Sequence, residues 1–364
     1  MDALRIGIVG CGNISGIYFK NLSHYRATEV VAVADLDIER ARAAASQHGV
    51  AHALTPDELL AHPDVDLVLN LTIPKAHAAV AMAAVEAGKH VYSEKPLSIA
   101  REESRRLLEV AQQRGVRVGC APDTFLGAGI QTCRKLIDDG AIGEPVAANA
   151  FMLCRGHETW HPSPEFYYEK GGGPMLDMGP YYITALVNLI GPIRRVTGSA
   201  RATFPTRTIT SEPKNGNVVA VETPTHHVGV LDFSNGAIGQ ITTSFDVYPS
   251  PLASITIYGT EGTMLVPDPN GFGGEIFVRR NGKDFEKVEL THGHADNARG
   301  IGVLDMAHAI RENRPHRASG ELAFHVLDAM LSVEEASNAG RHLELTSAGV
   351  RPEALAPDTY ADEA

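Results

Sequence analysis

An apolar run from Leu4 to Val9 breaks into Gly10-Cys11-Gly12-Asn13-Ile14-Ser15-Gly16, and a second apolar run, Val30 to Ala34, ends on Asp35. That order predicts a strand, a tight glycine turn, a helix and a second, parallel strand. The turn offers unpaired backbone N–H groups and the positive end of a helix dipole, and both attract a pyrophosphate. A carboxylate about 20 residues further on accepts the hydroxyls of an adenosine ribose. The spacing therefore predicts a dinucleotide held by Gly10, Gly12, Asn13, Ile14 and Asp35, although Ser15 stands where the third fingerprint glycine is usual. An ordinary strand-to-helix turn that holds nothing is the bland reading, and the strand before, the helix after and Asp35 together outweigh it. The charge of Asp35 would repel the extra phosphate of NADP, so NAD is favoured; Arg40 and Arg42 leave NADP open.

Up to about Gly119 short strands keep alternating with amphipathic helices, the pattern of a parallel sheet covered on both faces. Thr55 and Glu58 have capping-box spacing, and Ser98 is expected to cap the helix that follows it. Beyond Pro145 the texture changes to β-branched runs separated by glycine, proline and asparagine, which predicts a large antiparallel sheet. Helical stretches return near Ile301 to Glu312 and Glu321 to Ala339. The expected class is α/β: an N-terminal Rossmann doubly wound parallel sheet, then an α+β domain with a large, mostly antiparallel open sheet. The expected divisions are residues 1–122 for the dinucleotide, 123–346 for substrate and oligomerisation, and a loosely held tail, 347–364.

A formal charge of −12 opposes binding to nucleic acid or to an anionic membrane surface. Four cysteines without a C-x-x-C pair read as reduced thiols, not as a disulfide framework or a zinc site. With no basic segment leading into an apolar signal core and no long apolar run, a cytoplasmic protein is expected.

Parallel α/β sheets bind ligands at the carboxyl ends of their strands. Three sets of residues follow such ends: Thr72, Ile73, Pro74 and His77; Glu94 and Lys95; and Asp123. Each has a routine alternative in loop formation or helix capping, and for His77 that alternative weighs equally. A lysine beside a nicotinamide cation would donate to a substrate hydroxyl and stabilise the alkoxide as hydride leaves carbon, so Lys95 is the sharpest candidate. In the second half, Gly171-Gly172-Gly173 opens a helical run in which Asp177 and Tyr181 share one face. Glycines there would let a backbone approach a ligand, and a tyrosine near the same cation could take a proton from an alcohol. His157, Trp160 and His161 have the composition of a sugar-contacting segment. They lack a third metal ligand at a convincing distance, so no metal is expected. His292, His294, Asn297 and Arg299 form a weaker polar cluster, which a solvated loop explains nearly as well.

Taken in order, the Gly10 to Ile14 turn, Thr72-Ile73-Pro74 with His77, Glu94-Lys95-Pro96-Leu97, and Gly171-Gly172-Gly173 leading to Asp177 and Gly179 resemble the Gfo/Idh/MocA family of NAD(P)-dependent oxidoreductases. The resemblance covers essentially the whole chain, and Glu-Lys-Pro is its most specific part. It implies hydride transfer on a sugar or cyclitol, with Lys95 catalytic, Asp177 its partner and a homodimer or homotetramer as the assembly. One departure stands out: the family usually has histidine four residues after the aspartate, and this chain has Tyr181, followed by Tyr182 as an alternative proton acceptor. The resemblance also includes glycosidases that oxidise transiently with bound NAD, and non-catalytic dinucleotide-binding sensors.

Overall fold

Residues 3–363 are described by a computed structural model, in which the expected alternation becomes β1 (Leu4–Val9), α1 (Ser15–Leu22), β2 (Thr28–Ala34), α2 (Ile38–His48), β3 (His52–Leu54), α3 (Pro56–Ala61), β4 (Leu67–Asn70), α4 (Pro74–Glu86), β5 (His90–Ser93), α5 (Arg101–Arg114) and β6 (Val118–Cys120). There follow α6 (Ala128–Asp138), β7 (Pro145–Leu153), α7 (Gly173–Leu189), β8 (Ile193–Arg201), β9 (Thr206–Thr208), β10 (Val218–Ala220), β11 (His226–Phe233) and β12 (Ile238–Ser244). The last elements are β13 (Ile255–Gly259), β14 (Gly262–Val266), β15 (Ile276–Arg280), β16 (Glu286–Val288), α8 (Ile301–Glu312), α9 (Gly320–Ala339) and β17 (Leu343–Glu344). Two units emerge from the contacts. One is the chain up to Leu126 with Asp296–Phe324 and the stretch from Leu355; the other is Gly127–Ala295 with His325–Ala354.

In the first unit, β1 to β6 form one parallel sheet in the order β3-β2-β1-β4-β5-β6. All four residues of β4 are buried, as expected of a central strand covered on both faces. The alanines of α4 let it pack close to α5, with Ala81, Ala84, Leu107 and Ala111 in a common core. The capping box at Thr55 and Glu58 forms as read from the sequence. Ser98 does not cap α5: that helix starts at Arg101 with no side-chain cap, and the Ser98 hydroxyl is buried against Ala100 O at 2.6 Å and Ser104 Oγ at 2.7 Å. Two peptide bonds ahead of the capping position, it is better used satisfying its own buried surroundings.

The loose tail is also corrected. Tyr360 donates to Asp305 Oδ1 at 2.7 Å and accepts from Arg314 at 3.1 Å, while Glu363 accepts from Ala27 N at 3.0 Å. Asp305 is wholly buried, so its carboxylate needs donors, and the tail supplies one of them.

The second unit is built on a nine-stranded sheet, β16-β15-β14-β13-β7-β12-β11-β8-β17. Its neighbours are antiparallel except for the parallel pair β7 and β12. Alternate residues of β7 and β11 are buried. Helix α7 lies against β7, β11 and β12, and Gly198 and Gly229 leave room for Val333 of α9: an added Cβ would come within 2.9 and 3.1 Å of its methyls.

Candidate active site

At the carboxyl edge of the parallel sheet the strand order reverses between β1 and β4, the place where a crevice opens in folds of this type. Gly10 turns there with φ +103°, and a Cβ on it would meet Leu71 O at 2.7 Å, so the loop after β1 lies directly on the loop after β4. A Cβ on Gly12 would meet nothing within 4 Å, and the first turn of α1 has no side-chain cap at Ile14. The turn thus presents an open cradle and uncapped N–H groups, which fit a pyrophosphate. Asp35 is fixed at the end of β2: one oxygen accepts from Cys11 N at 2.9 Å, the other from Asp37 N at 3.0 Å and Arg40 at 3.2 Å. Burial and the nearby Asp35 charge push the Cys11 thiol up to about 11, so it stays protonated in the loop.

Leu36 and Ile73, 96% and 67% exposed, stand at the same edge after β2 and β4. Exposed large aliphatic side chains at a sheet edge suit the faces of a flat apolar ring. The sequence reading named Ile73 and missed Leu36, whose signal was an apolar residue directly after the Asp35 carboxylate.

The loop after β5 is anchored from below. Glu94 is buried, its Oε1 accepting from Tyr18 Oη at 2.7 Å and its Oε2 from Lys95 N at 3.0 Å. It therefore orients the Lys95 backbone, and the Lys95 side chain is half-buried. The Thr72 hydroxyl turns back to Asn70 Oδ1 at 2.6 Å, and His77 is enclosed between two backbone carbonyls. Asp123 also turns inward: 1% exposed, its Oδ2 accepts from Gly300 N at 2.8 Å and Gly302 N at 3.1 Å, so it caps α8 from another segment.

Burial raises the Asp123 carboxyl to about 6, against the two backbone donors, which lower it. The folded state then holds this proton more tightly than the unfolded chain does. Its contribution to stability is complete below about pH 4 and is lost as pH rises through about 6, amounting to roughly 3 kcal/mol. Asp123→Asn keeps an acceptor for both amides without a charge to bury. We expect this variant to gain on wild type by up to that amount between acid and neutral pH, read from urea unfolding at a series of pH values. Parallel curves would exclude a titrating Asp123.

In the second unit two of the three glycines, Gly172 and Gly173, approach the protein's own backbone. A Cβ on Gly172 would meet Phe166 O at 2.4 Å, and one on Gly173, at φ +83°, would meet Pro224 O at 2.7 Å. Close approach is the reason for both, and the partners are protein backbone, the preceding loop for Gly172 and the segment of Thr223 and Pro224 for Gly173. From Gly173, α7 carries Asp177 and, one turn later, Tyr181, which is 7% exposed.

His157 Nε2 lies 3.4 Å from Asp177 Oδ2, and the Trp160 indole donates to His157 Nδ1 at 3.2 Å. An indole N–H can only donate, so the hydrogen of a neutral His157 ring is assigned to Nε2, facing the carboxylate. Trp160 itself is 61% exposed. His161 packs edge-on against Trp160, Phe166 and Tyr167, accepts from Ser163 N at 3.0 Å, and is held below its ordinary value by burial. The structure thus gathers His157, Trp160, His161 and Asp177 in the second unit. At Tyr182, burial and Asp268 push the phenol well up, against a hydrogen bond with Ser254.

Beneath this segment lies a network the sequence reading missed. Arg207 binds Glu158 at 3.0 Å, Asp246, and Phe245 O at 2.9 Å, and Tyr168 donates to Glu158. Its members are scattered along the chain with no spacing to mark them. Of the residues at 292–299, Asn297 and Arg299 belong to the first unit, where Asn21 donates to both carbonyls at 2.8 Å, and His292 and His294 to the second. Among the described residues no three or more His, Cys, Asp or Glu side chains are gathered to hold a metal, and no helix is long and apolar enough to cross a membrane.

An open glycine cradle, a fixed carboxylate at the end of β2 and the β1/β4 reversal define an NAD-binding Rossmann oxidoreductase, and residues 4–121 match the family described as "Oxidoreductase family, NAD-binding Rossmann fold". Residues 130–265 match the GFO/IDH/MocA C-terminal domain. The 1,5-anhydro-D-fructose reductase of Ensifer adhaerens is 32% identical over 269 residues, 72% of this chain and 75% of that protein. The myo-inositol 2-dehydrogenase of Thermotoga maritima is 26% identical over 72% of this chain and 75% of its own length. The crystal structure of an NAD-binding oxidoreductase from Klebsiella pneumoniae shares the fold, with TM-score 0.83 at 23% identity, covering 95% of this chain and all (100%) of that one. The chain belongs to the Gfo/Idh/MocA family of oxidoreductases.

Proposed function

We propose that this enzyme oxidises or re-forms a hydroxyl-bearing carbon of a sugar, a sugar derivative or an inositol, with NAD as its redox partner. The observation that carries this reading is the run of contacts from the exposed Trp160 through His157 to Asp177, one helical turn before Tyr181. An indole face open to solvent beside a carboxylate suits a ring with an apolar face and polar edges. The named sugar and inositol enzymes among its relatives support the same class.

In this reading the first unit holds NAD: the Gly10 to Ile14 turn and the start of α1 take the pyrophosphate, Asp35 the ribose, and Leu36 with Ile73 the adenine. Thr72, Pro74 and His77 shape the loop after β4. When bound, NAD supplies the hydride acceptor. Lys95 donates a hydrogen bond to the reacting oxygen and stabilises the negative charge that grows on it. Tyr181 takes the hydroxyl proton, and Asp177 orients the substrate. Burial and Asp268 push the Tyr182 phenol up, which makes it a poorer base at neutral pH, while Tyr181 stands four residues after Asp177 on the same helical face.

The outward face of the nine-stranded sheet carries Phe151, Val228, Val230, Ile238, Tyr258 and Phe277 in facing registers. Ile238 and Tyr258 are exposed, which supports a homodimer or homotetramer in which a second copy covers this face; the mass in solution decides it.

NADH formation over a panel of monosaccharides, sugar derivatives and inositols tests the main proposal. On a substrate so found, Tyr181→Phe should lower kcat by about 10² to 10³ and Tyr182→Phe by less than about tenfold. A silent panel with NAD still bound would replace the proposal by a sensor, and sugar release without net NADH by a glycosidase.

A further inference from the structure

The ring of His77 is 1% exposed, yet it spans two loops. It stands in the first turn of α4 with Nδ1 2.6 Å from Pro96 O and Nε2 2.9 Å from Thr72 O. Its own carbonyl accepts from Asn70 Nδ2 at 3.0 Å, and Asn70 Oδ1 accepts from Thr72 Oγ1 at 2.6 Å. One end of this brace holds the loop after β4, the other the loop that presents Lys95. Both atoms facing the ring are carbonyl oxygens, which accept and cannot donate. A neutral imidazole has one N–H and satisfies one of them; the imidazolium alone donates to both.

We propose that His77 is a positioning residue for Lys95, a brace between Thr72 O and Pro96 O that holds both loops only while its ring carries two protons. The proposal rests on the reading of Lys95 given above. Burial is the chief cause and holds the ring below its ordinary value; the carbonyls of Pro96 and Thr72 and the Glu94 carboxylate pull the other way, and the Lys95 ammonium adds to the lowering, so the second proton is lost on the acid side of an ordinary histidine. From the loop after β4 the neighbours are Thr72, Ile73 and Pro74, none of which titrates. Glu94 is itself tied to Tyr18 and to Lys95 N, so its charge stays beside the brace. When the ring loses a proton, one carbonyl is left facing a bare nitrogen in a buried place, and the loop on that side is released. Because the brace joins the two loops, the Lys95 loop is held more loosely as pH rises, either directly or through the loop after β4 against which it is braced.

The test uses the full chain without substrate. In protein labelled with ¹⁵N-histidine, NMR reads whether the His77 ring holds one proton or two from about pH 5 to about pH 8, and the His77→Gln variant (H77Q) identifies its signals. Hydrogen exchange over residues 94–97, corrected for the intrinsic effect of pH, reads the hold on the loop. We expect protection in wild type to fall about tenfold in step with the ring titration, and the step to vanish in H77Q. A ring that stays singly protonated while the loop stays protected would overturn the proposal, as would the same step in H77Q. If H77Q does not fold, the match or mismatch of the two wild-type curves decides. Neither measurement needs turnover, so a silent substrate panel would strike the functional reading and leave the brace to be judged by itself.

Discussion

Replacing Lys95 by methionine is expected to lower kcat about a thousandfold, roughly 4 kcal/mol of barrier, with NAD affinity changed by less than about threefold. Methionine keeps the unbranched stem and removes only the ammonium. The backbone that carries it is fixed without the side chain: Glu94 accepts from Lys95 N at 3.0 Å and is itself held by Tyr18 at 2.7 Å. The loop therefore has reason to keep its course in the variant, and the loss reads as chemistry. An alkoxide forming without a nearby donor must be stabilised by water or not at all, which is why removal of one such donor commonly costs two to three orders of magnitude. Initial rates of NADH formation on a panel substrate, with a separate NAD titration, separate the two effects. A variant within about tenfold of wild type would remove Lys95 from the reaction.

The same loop shows what could be read in advance. Gly10 was legible because a strand end in contact with Leu71 O tolerates no Cβ, and Asp35 because the end of β2 can be counted from the glycine turn. The helices of the first unit were legible through their local signals, the Thr55 and Glu58 pair among them. Direction was not legible. Glu94, Asp123 and Thr72 follow strands just as Lys95 does, yet all three are turned back onto the protein, Glu94 to the Lys95 backbone and Tyr18, Asp123 to the start of α8 and Thr72 to Asn70. A carboxylate after a strand can meet a ligand or satisfy distant amides, and nothing local distinguishes the two.

In the second unit most strands were legible through β-branched content, but the parallel pairing of β7 with β12 was not, because those strands are separated by a helix and several other strands. The same limit hid the tail. Tyr360 is held by Asp305 and Arg314, partners some fifty residues back (55 and 46), which composition could not supply. His157 and Trp160 were found because they are near neighbours in sequence; the residues that carry their loop, Arg207 and Asp246, were not.

That hidden network gives the second large effect. Arg207→Met should cost about 3 to 5 kcal/mol of stability, because it leaves Glu158 and Asp246 as buried carboxylates without a counter-charge. Their side chains are 9% and 3% exposed, so water cannot take the place of the guanidinium. Lysine is no substitute, since one ammonium cannot reach Glu158, Asp246 and Phe245 O as a planar fork does. Glu158 also accepts from Thr210 N at 2.9 Å and Ser211 N at 3.1 Å through its carbonyl, so loss of its side-chain anchor pulls on the whole 155–168 segment. Trp160 lies in that segment and is the one tryptophan of the chain, which makes its emission a local reporter. In Arg207→Met the Trp160 signal should change at lower urea than the far-ultraviolet circular dichroism does, whereas in wild type the two transitions coincide. Removing the carboxylates as well, in Glu158→Met/Arg207→Met/Asp246→Leu, should recover much of the loss, because the cost lies in the unpaired charges more than in the missing attraction. If Arg207→Met melts with wild type, the guanidinium contributes nothing that its neighbours cannot replace, and the hold on His157 and Trp160 must come from the aromatic packing around Tyr167 and Phe245 instead.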